Sequence, residues 1–168
     1  MVSNLDLPQG APATLGGAFA HIGAVTAPTL LDMKVMVLAE AAAMTLYYKT
    51  AEGTDVPGVV ELLQHNGREE MLHAHRVSQA IKAISGEDFA PPGPDQNPYL
   101  QGEVKPLGAV TTESLTKLAQ GEFDGDQLYA TWADNTANAE AAALFRQNGK
   151  EETDHGNRLL EAAALLVA

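Results

Sequence analysis

The sequence predicts an all-α protein: a four-helix bundle built from two helical hairpins, with a long crossover between helices 2 and 3. Three observations carry this expectation. Apolar residues recur at helical spacing in four segments. A proline-rich stretch divides the second segment from the third. The chain also repeats itself at a shift of 82, where "NGREEMLHAHR" at 66–76 and "NGKEETDHGNR" at 148–158 agree at six of eleven positions.

Residues 1–27 are rich in Gly, Ala and Pro and hold no period, so they read as an N-terminal extension. The bundle then occupies residues 28–168. From Thr26-Ala27-Pro28 an apolar pattern runs through Leu30, Met33, Val37, Met44 and Tyr47 to Gly53, which makes the first predicted helix. A second starts near Pro57, passes Val59, Leu63, Val77, Ile81 and Ile84, and stops at "SGED". The turn between them is short, so the pair folds back as an antiparallel hairpin over 28–85. Residues 86–110 hold five of the nine prolines and cannot be helical; they read as an ordered linker long enough to traverse the bundle. The third helix is predicted from Thr111 or Thr112 to Asp134 and the fourth from Asn138 to the C-terminus, forming the second hairpin over 111–168.

Composition narrows the function. The 168 residues suit one domain, with 45% hydrophobic residues for its core. A formal charge of -12 would repel a phosphate backbone, so no nucleic-acid partner is expected. No apolar run approaches the ~18 residues of a membrane span. The N-terminus "MVSNLDLPQG" has an Asp and no basic residue, unlike a signal peptide, and the expected location is cytoplasmic. With no cysteine, any metal must be held by oxygen and nitrogen.

The repeat pairs Glu40 with Glu122, Tyr47 with Tyr129, Glu70 with Glu152 and His73 with His155. In each hairpin the lone Glu precedes the Glu-x-x-His by 30 residues, with the turn midway, which sets them at one height in neighbouring helices. Helical phase places Asn66, Glu70, His73 and Val77 on one apolar stripe, while Glu69 lies beside Arg76 on a more polar flank. Four inward carboxylates demand protons or cations. Two divalent metals would neutralise them, and carboxylate plus imidazole donors suit a redox-active pair such as iron or manganese. One Glu from each of two helices and a Glu-x-x-His from each of the others is the donor pattern of carboxylate-bridged dimetal bundles.

The stretch "AQGEFDGDQLYATWADNTANAEAAALFRQNGKEETDHGNR", with its Gly-Glu, its Tyr about two turns on and its Glu-x-x-His, resembles the rubrerythrin branch of the ferritin-like superfamily. The resemblance extends over residues 28–168. It implies a ferritin-like four-helix bundle in which Glu40, Glu70, His73, Glu122, Glu152 and His155 ligate two Fe ions, or Mn or a mixed pair, with Glu70 and Glu152 bridging. It further implies an oxidoreductase reacting with hydrogen peroxide or O₂ as peroxidase or ferroxidase, fed by an external electron donor, in a homodimer or larger homo-oligomer. The six-residue set is also similar to that of bacterioferritins, and the 30-residue spacing to that of demethoxyubiquinone hydroxylases. Oxygenation of a small organic substrate and iron storage therefore stand as alternatives. Two features depart from rubrerythrins. Gly125 occupies the place of an additional metal-binding Glu, and the chain has none of the cysteines of that family's iron-binding C-terminal domain.

The remaining residues carry alternative expectations. Tyr47 and Tyr129 either hydrogen-bond a ligating carboxylate or fill the core with their rings. Asp126, one turn past Glu122, either replaces the missing carboxylate, supports the ligating residues from behind, or lies at the surface. Asn66 and Asn148 either support the site or, with the Gly that follows each, relieve crowding or mark a local distortion of the helix. Gly121 and Gly125 either admit substrate or let helices approach. His21, His65 and His75 have no counterpart in the other half and read as arm or surface residues, and Met33, Met36, Met44 and Trp132 as core packing.

Overall fold

A computed structural model describes residues 5–168, so the first four residues of the extension lie outside it. Among the described residues the fold is all-helical: α1 (Leu15–Gly23), α2 (Leu30–Ala51), α3 (Pro57–Ser85), α4 (Thr112–Asp134) and α5 (Ala139–Leu165). Helices α2 and α3 pack as one hairpin, α4 and α5 as the other, and α3 lies against α5 to join them. None of these helices is long and apolar enough to cross a membrane.

Local chemistry sets the boundaries. At the start of α2, Thr29 and Asp32 form a reciprocal capping box, so the helix begins two residues after the predicted Pro28. Pro57 opens α3, where its missing N–H costs nothing, and Gly86 closes it at φ 75, a left-handed conformation that favours glycine. The Thr111 hydroxyl accepts from Ser114 N to cap α4, and Asn138 caps α5 while its amide donates to Ala83 O in the last turn of α3. That second bond ties the turn of the second hairpin to the end of the first.

The extension is more structured than its composition indicates. Helix α1 buries Ala18 and Ile22 against α2, and His21 Nε2 lies 2.7 Å from Asp32 Oδ1. Nine residues are too few to display a period among so many small side chains. The loop after α1 is pinned as well, since Trp132 Nε1 donates to Val25 O.

In the crossover, two single-turn 3₁₀ helices (Pro94–Gln96 and Pro98–Leu100) present Asn97, which is fully buried and donates to Leu38 O on α2. The linker ends beside the C-terminus of α2, where Leu107 N donates to Thr50 Oγ1. It has therefore traversed the bundle, and α4 runs antiparallel to α2. Packed by α1, α3 and the crossover on different sides, α2 is buried around most of its circumference.

Candidate metal centre

Glu-x-x-His puts both side chains on one helical face. The faces of α3 and α5 meet at mid-bundle, where Glu70, His73, Glu152 and His155 are all buried and their donor atoms lie within 4.8 Å of one another. The two imidazoles stack with centroids 5.0 Å apart and planes 16° from parallel. His73 Nδ1 lies 3.2 Å from Glu152 Oε1, and His155 Nδ1 lies 3.3 Å from Glu70 Oε1. Glu122 approaches from α4, its Oε2 3.8 Å from His155 Nδ1, and buried Glu40 neighbours Glu70 from α2. The structure thus assembles the six residues singled out by the repeat.

The opposite edge of each imidazole is held by residues that sequence reasoning passed over. His155 Nε2 is 3.1 Å from Glu69 Oε2, and His73 Nε2 is 3.2 Å from Glu151 Oε2. Each carboxylate is clamped by an arginine across the bundle: Arg158 donates to Glu69 at 2.7 Å and Arg76 to Glu151 at 2.6 Å. Glu69 and Arg76 share a flank of α3 but serve opposite histidines. The signal was present, because Glu69 and Arg76 recur as Glu151 and Arg158 at the same shift of 82.

The asparagines support the site in the same crossed manner. Asn66 donates through Nδ2 to His155 O and accepts at Oδ1 from Arg158, while Asn148 donates through Nδ2 to His73 O and accepts at Oδ1 from Arg76. The glycine after each also permits close packing. A Cβ on Gly67 would lie 3.1 Å from Met44 O, and one on Gly149 3.2 Å from Asp126 O. Support and relief of crowding therefore both hold for the Asn-Gly pairs.

Tyr47 and Tyr129 fill the core and also donate to carboxylates, Tyr47 to Glu122 and Tyr129 to Glu40. Each carboxylate belongs to the other hairpin, not to the tyrosine's own helix. Asp126 turns away from the cluster and accepts from Thr153 Oγ1 at 2.7 Å. His65 and His75 are surface residues.

Burial and mutual repulsion divide the acids. Burial, then the Glu70 and Glu152 charges, push Glu40 well above the usual carboxylate range, and burial with Glu152 raises Glu122 to about 7. Glu70 is also pushed up by burial, but His155 outweighs this and brings it to about 2. Glu152, opposed by burial and by Glu70, is drawn down by both histidines. Burial disfavours charge on the imidazoles, yet bonds to Glu151 and Glu152 raise His73 far above its ordinary value, and Glu70 and Glu122 do the same for His155. Tyr47 and Tyr129, raised by burial and then by the acids they bond, stay phenolic donors. Without cations, protons carry the compensation.

Helices α2 and α4 do not pack closely together, and a cavity of about 800 Å³ opens between them. Glu40, Glu70, Glu122 and Glu152 lie on its floor. Gly121 and Gly125 keep it open. A Cβ at Gly121 would meet nothing within 4 Å, and one at Gly125 only the Glu152 side chain at 3.4 Å.

A protein-family model described as Rubrerythrin matches residues 34–163. The chain belongs to the rubrerythrin family. No curated protein and no solved structure matches it at a significant level. In this rubrerythrin-family chain, the buried Glu/His group suggests a dimetal site. The donor chemistry supports that fit. His73 Nδ1 and His155 Nδ1 are buried, face the carboxylates and lack a hydrogen-bond partner, while their Nε2 edges are engaged. An unpaired imidazole nitrogen among four acid side chains is suited to a cation.

Proposed function

We propose that the protein is a non-haem dimetal oxidoreductase that reacts with hydrogen peroxide or O₂, with Fe as the metal, or Mn or a mixed pair. Glu40, Glu70, His73, Glu122, Glu152 and His155 would hold the two ions, with Glu70 and Glu152 central. The observation carrying this reading is the pair of orphaned Nδ1 atoms aimed into a carboxylate cluster on the floor of an open cavity. When bound, such a metal pair supplies the electrons that cleave an O–O bond.

The chain's own residues prepare the site. Glu69 and Glu151 accept from the Nε2–H of their histidines, which fixes the tautomer and leaves Nδ1 free as the donor. Arg158 and Arg76 hold those carboxylates ionised and in place. Tyr47 and Tyr129 donate to Glu122 and Glu40, steadying two of the four glutamates on the cavity floor. The electrons would come from an external donor. The protein would act in the cytoplasm, as a homodimer or larger homo-oligomer.

The cavity favours a second reading, in which an organic molecule occupies it and is oxygenated at the metals. Anaerobic titration with Fe(II) and with Mn(II) should end at two ions per chain. Rapid mixing of the Fe(II)-loaded protein with peroxide and with O₂ should then give faster oxidation by peroxide. Failure to load metal, or loading without reaction toward either oxidant, would overturn the proposal.

A further inference from the structure

The cavity between α2 and α4 carries its one basic group at one end, beside Leu107 and Leu118, and an apolar wall at the other. Tyr47 bonds Glu122 while Tyr129 bonds Glu40, so the helices run in opposite directions past the acids and each end of the cavity has its own walls. Lys117 and Ser114 stand at the end where α4 begins, five and eight residues before Glu122. Lys117 is the one basic residue among the described residues lining the cavity. Lys117 is exposed at the rim and Ser114 half-buried; neither the ammonium nor the hydroxyl has a partner among the described residues, and the two sit one turn apart on the same face. At the far end, α1 contributes Phe19 and Ile22, which meet Met36 and Leu128 to form an apolar wall.

The span fits an elongated molecule. From Lys117 to Leu128 is eleven residues, about 16 Å of helix, with the acids between. Of the four acids that an aliphatic chain would cross, Glu40 and Glu122 each accept a tyrosine hydroxyl, and Glu70 and Glu152 lie against the imidazole Nδ1 edges of His155 and His73. The acidic group at the rim, Asp124, is engaged by Gln120 Nε2 at 2.9 Å. An unpaired cation and hydroxyl at one end and an apolar pocket at the other are complementary to an anionic head on a hydrocarbon tail.

We infer that this cavity binds an amphipathic monocarboxylate of medium chain length, its head at Ser114 and Lys117 and its tail reaching Phe19, Ile22, Met36 and Leu128. As a candidate substrate the ligand rests on the second reading above; its binding does not.

Calorimetric titration of the full chain, metal-free and Mn(II)-loaded, with decanoate tests the inference. One decanoate per chain is expected, with 1-decanol and decylamine weaker by about tenfold or more, in line with the loss of a charge-assisted hydrogen bond. Lys117→Glu should weaken decanoate by about the same factor. Gly121→Leu, whose side chain would enter open space, should block decanoate while helicity and Mn(II) stoichiometry stay unchanged. Absence of decanoate binding, equal affinity for 1-decanol, or insensitivity to both substitutions would overturn the inference; the last would indicate adsorption on exposed residues such as Leu72 or Leu160. A protein that loads two ions and consumes peroxide but ignores decanoate leaves the metal reading standing. One that takes up decanoate but no metal removes the metal reading alone.

Discussion

Glu69 on α3 accepts from His155 on α5, and Glu151 on α5 accepts from His73 on α3, so each histidine is oriented by the opposite hairpin. Removing either carboxylate frees an Nε2 edge and an arginine together. Glu69→Ala and Glu151→Ala should each lower Mn(II) affinity by roughly 10- to 100-fold, read by competition with a chelating dye. Equal loss in the two variants is expected from their matched geometry. Unchanged affinity would deny these residues a role in presenting Nδ1.

Metal uptake should release protons. Glu122, raised by burial to about 7, must ionise, and the imidazoles, raised by their acid neighbours, must give up Nδ1–H. Apparent affinity should therefore climb as pH rises through 7, and a pH-stat should record base consumption on Mn(II) addition. The metal-free fold has the opposite dependence. A raised group contributes stability below its unfolded value and loses it as pH rises through its folded value. For Glu122 that loss lies between 4.5 and about 7. Glu70, lowered to about 2, contributes above 4.5 and loses its share as pH falls toward 2. Urea unfolding of chelator-treated protein at several pH values measures both trends.

Tyr47→Phe and Tyr129→Phe each remove one hydroxyl and leave the ring. The Glu122 or Glu40 carboxylate then loses its donor in a buried setting, at a cost of about 1–3 kcal/mol. Thermal unfolding of the metal-free variants should show this, with Mn(II) stoichiometry retained. A change below experimental error would mean that these bonds contribute nothing net.

Gly67→Ala and Gly149→Ala should destabilise the protein although alanine is the better helix former. The added methyl would come within 3.1 Å of Met44 O in one case and 3.2 Å of Asp126 O in the other, and backbone cannot swing aside. A net loss of about 1–3 kcal/mol is expected. Gly121→Ala, facing open space, is the control and should be neutral or stabilising.

The bundle was legible in the sequence because its signals are local: caps, prolines and a repeat long enough to cover a hairpin. The boundaries of α3, α4 and α5 fall where Pro57, Gly86, Thr111 and Asn138 place them. Helix α1 was hidden, since a short helix of small residues gains its stability from burial against α2 and not from a pattern of its own. The six central residues were legible through duplication. Glu69, Glu151 and their arginines were duplicated too, but a polar flank reads as solvated until the opposing helix is in place. The cavity was legible only as two glycines of undecided purpose, because it arises between two helices whose backbones stay apart and which meet only through long side chains.

The crossed bonds bear on the ancestry of the chain. Neither hairpin supplies the acceptor for its own imidazole, the donor for its own lone carboxylate or the amide that holds its own histidine carbonyl. A gene encoding a single hairpin could complete these contacts only by pairing two copies of its product about a twofold axis. Fusion of such a gene with itself would convert a concentration-dependent assembly into one fixed by covalent linkage. Divergence of the two halves after such a fusion would account for Lys117 and the paired Gly121 and Gly125 standing on one side only.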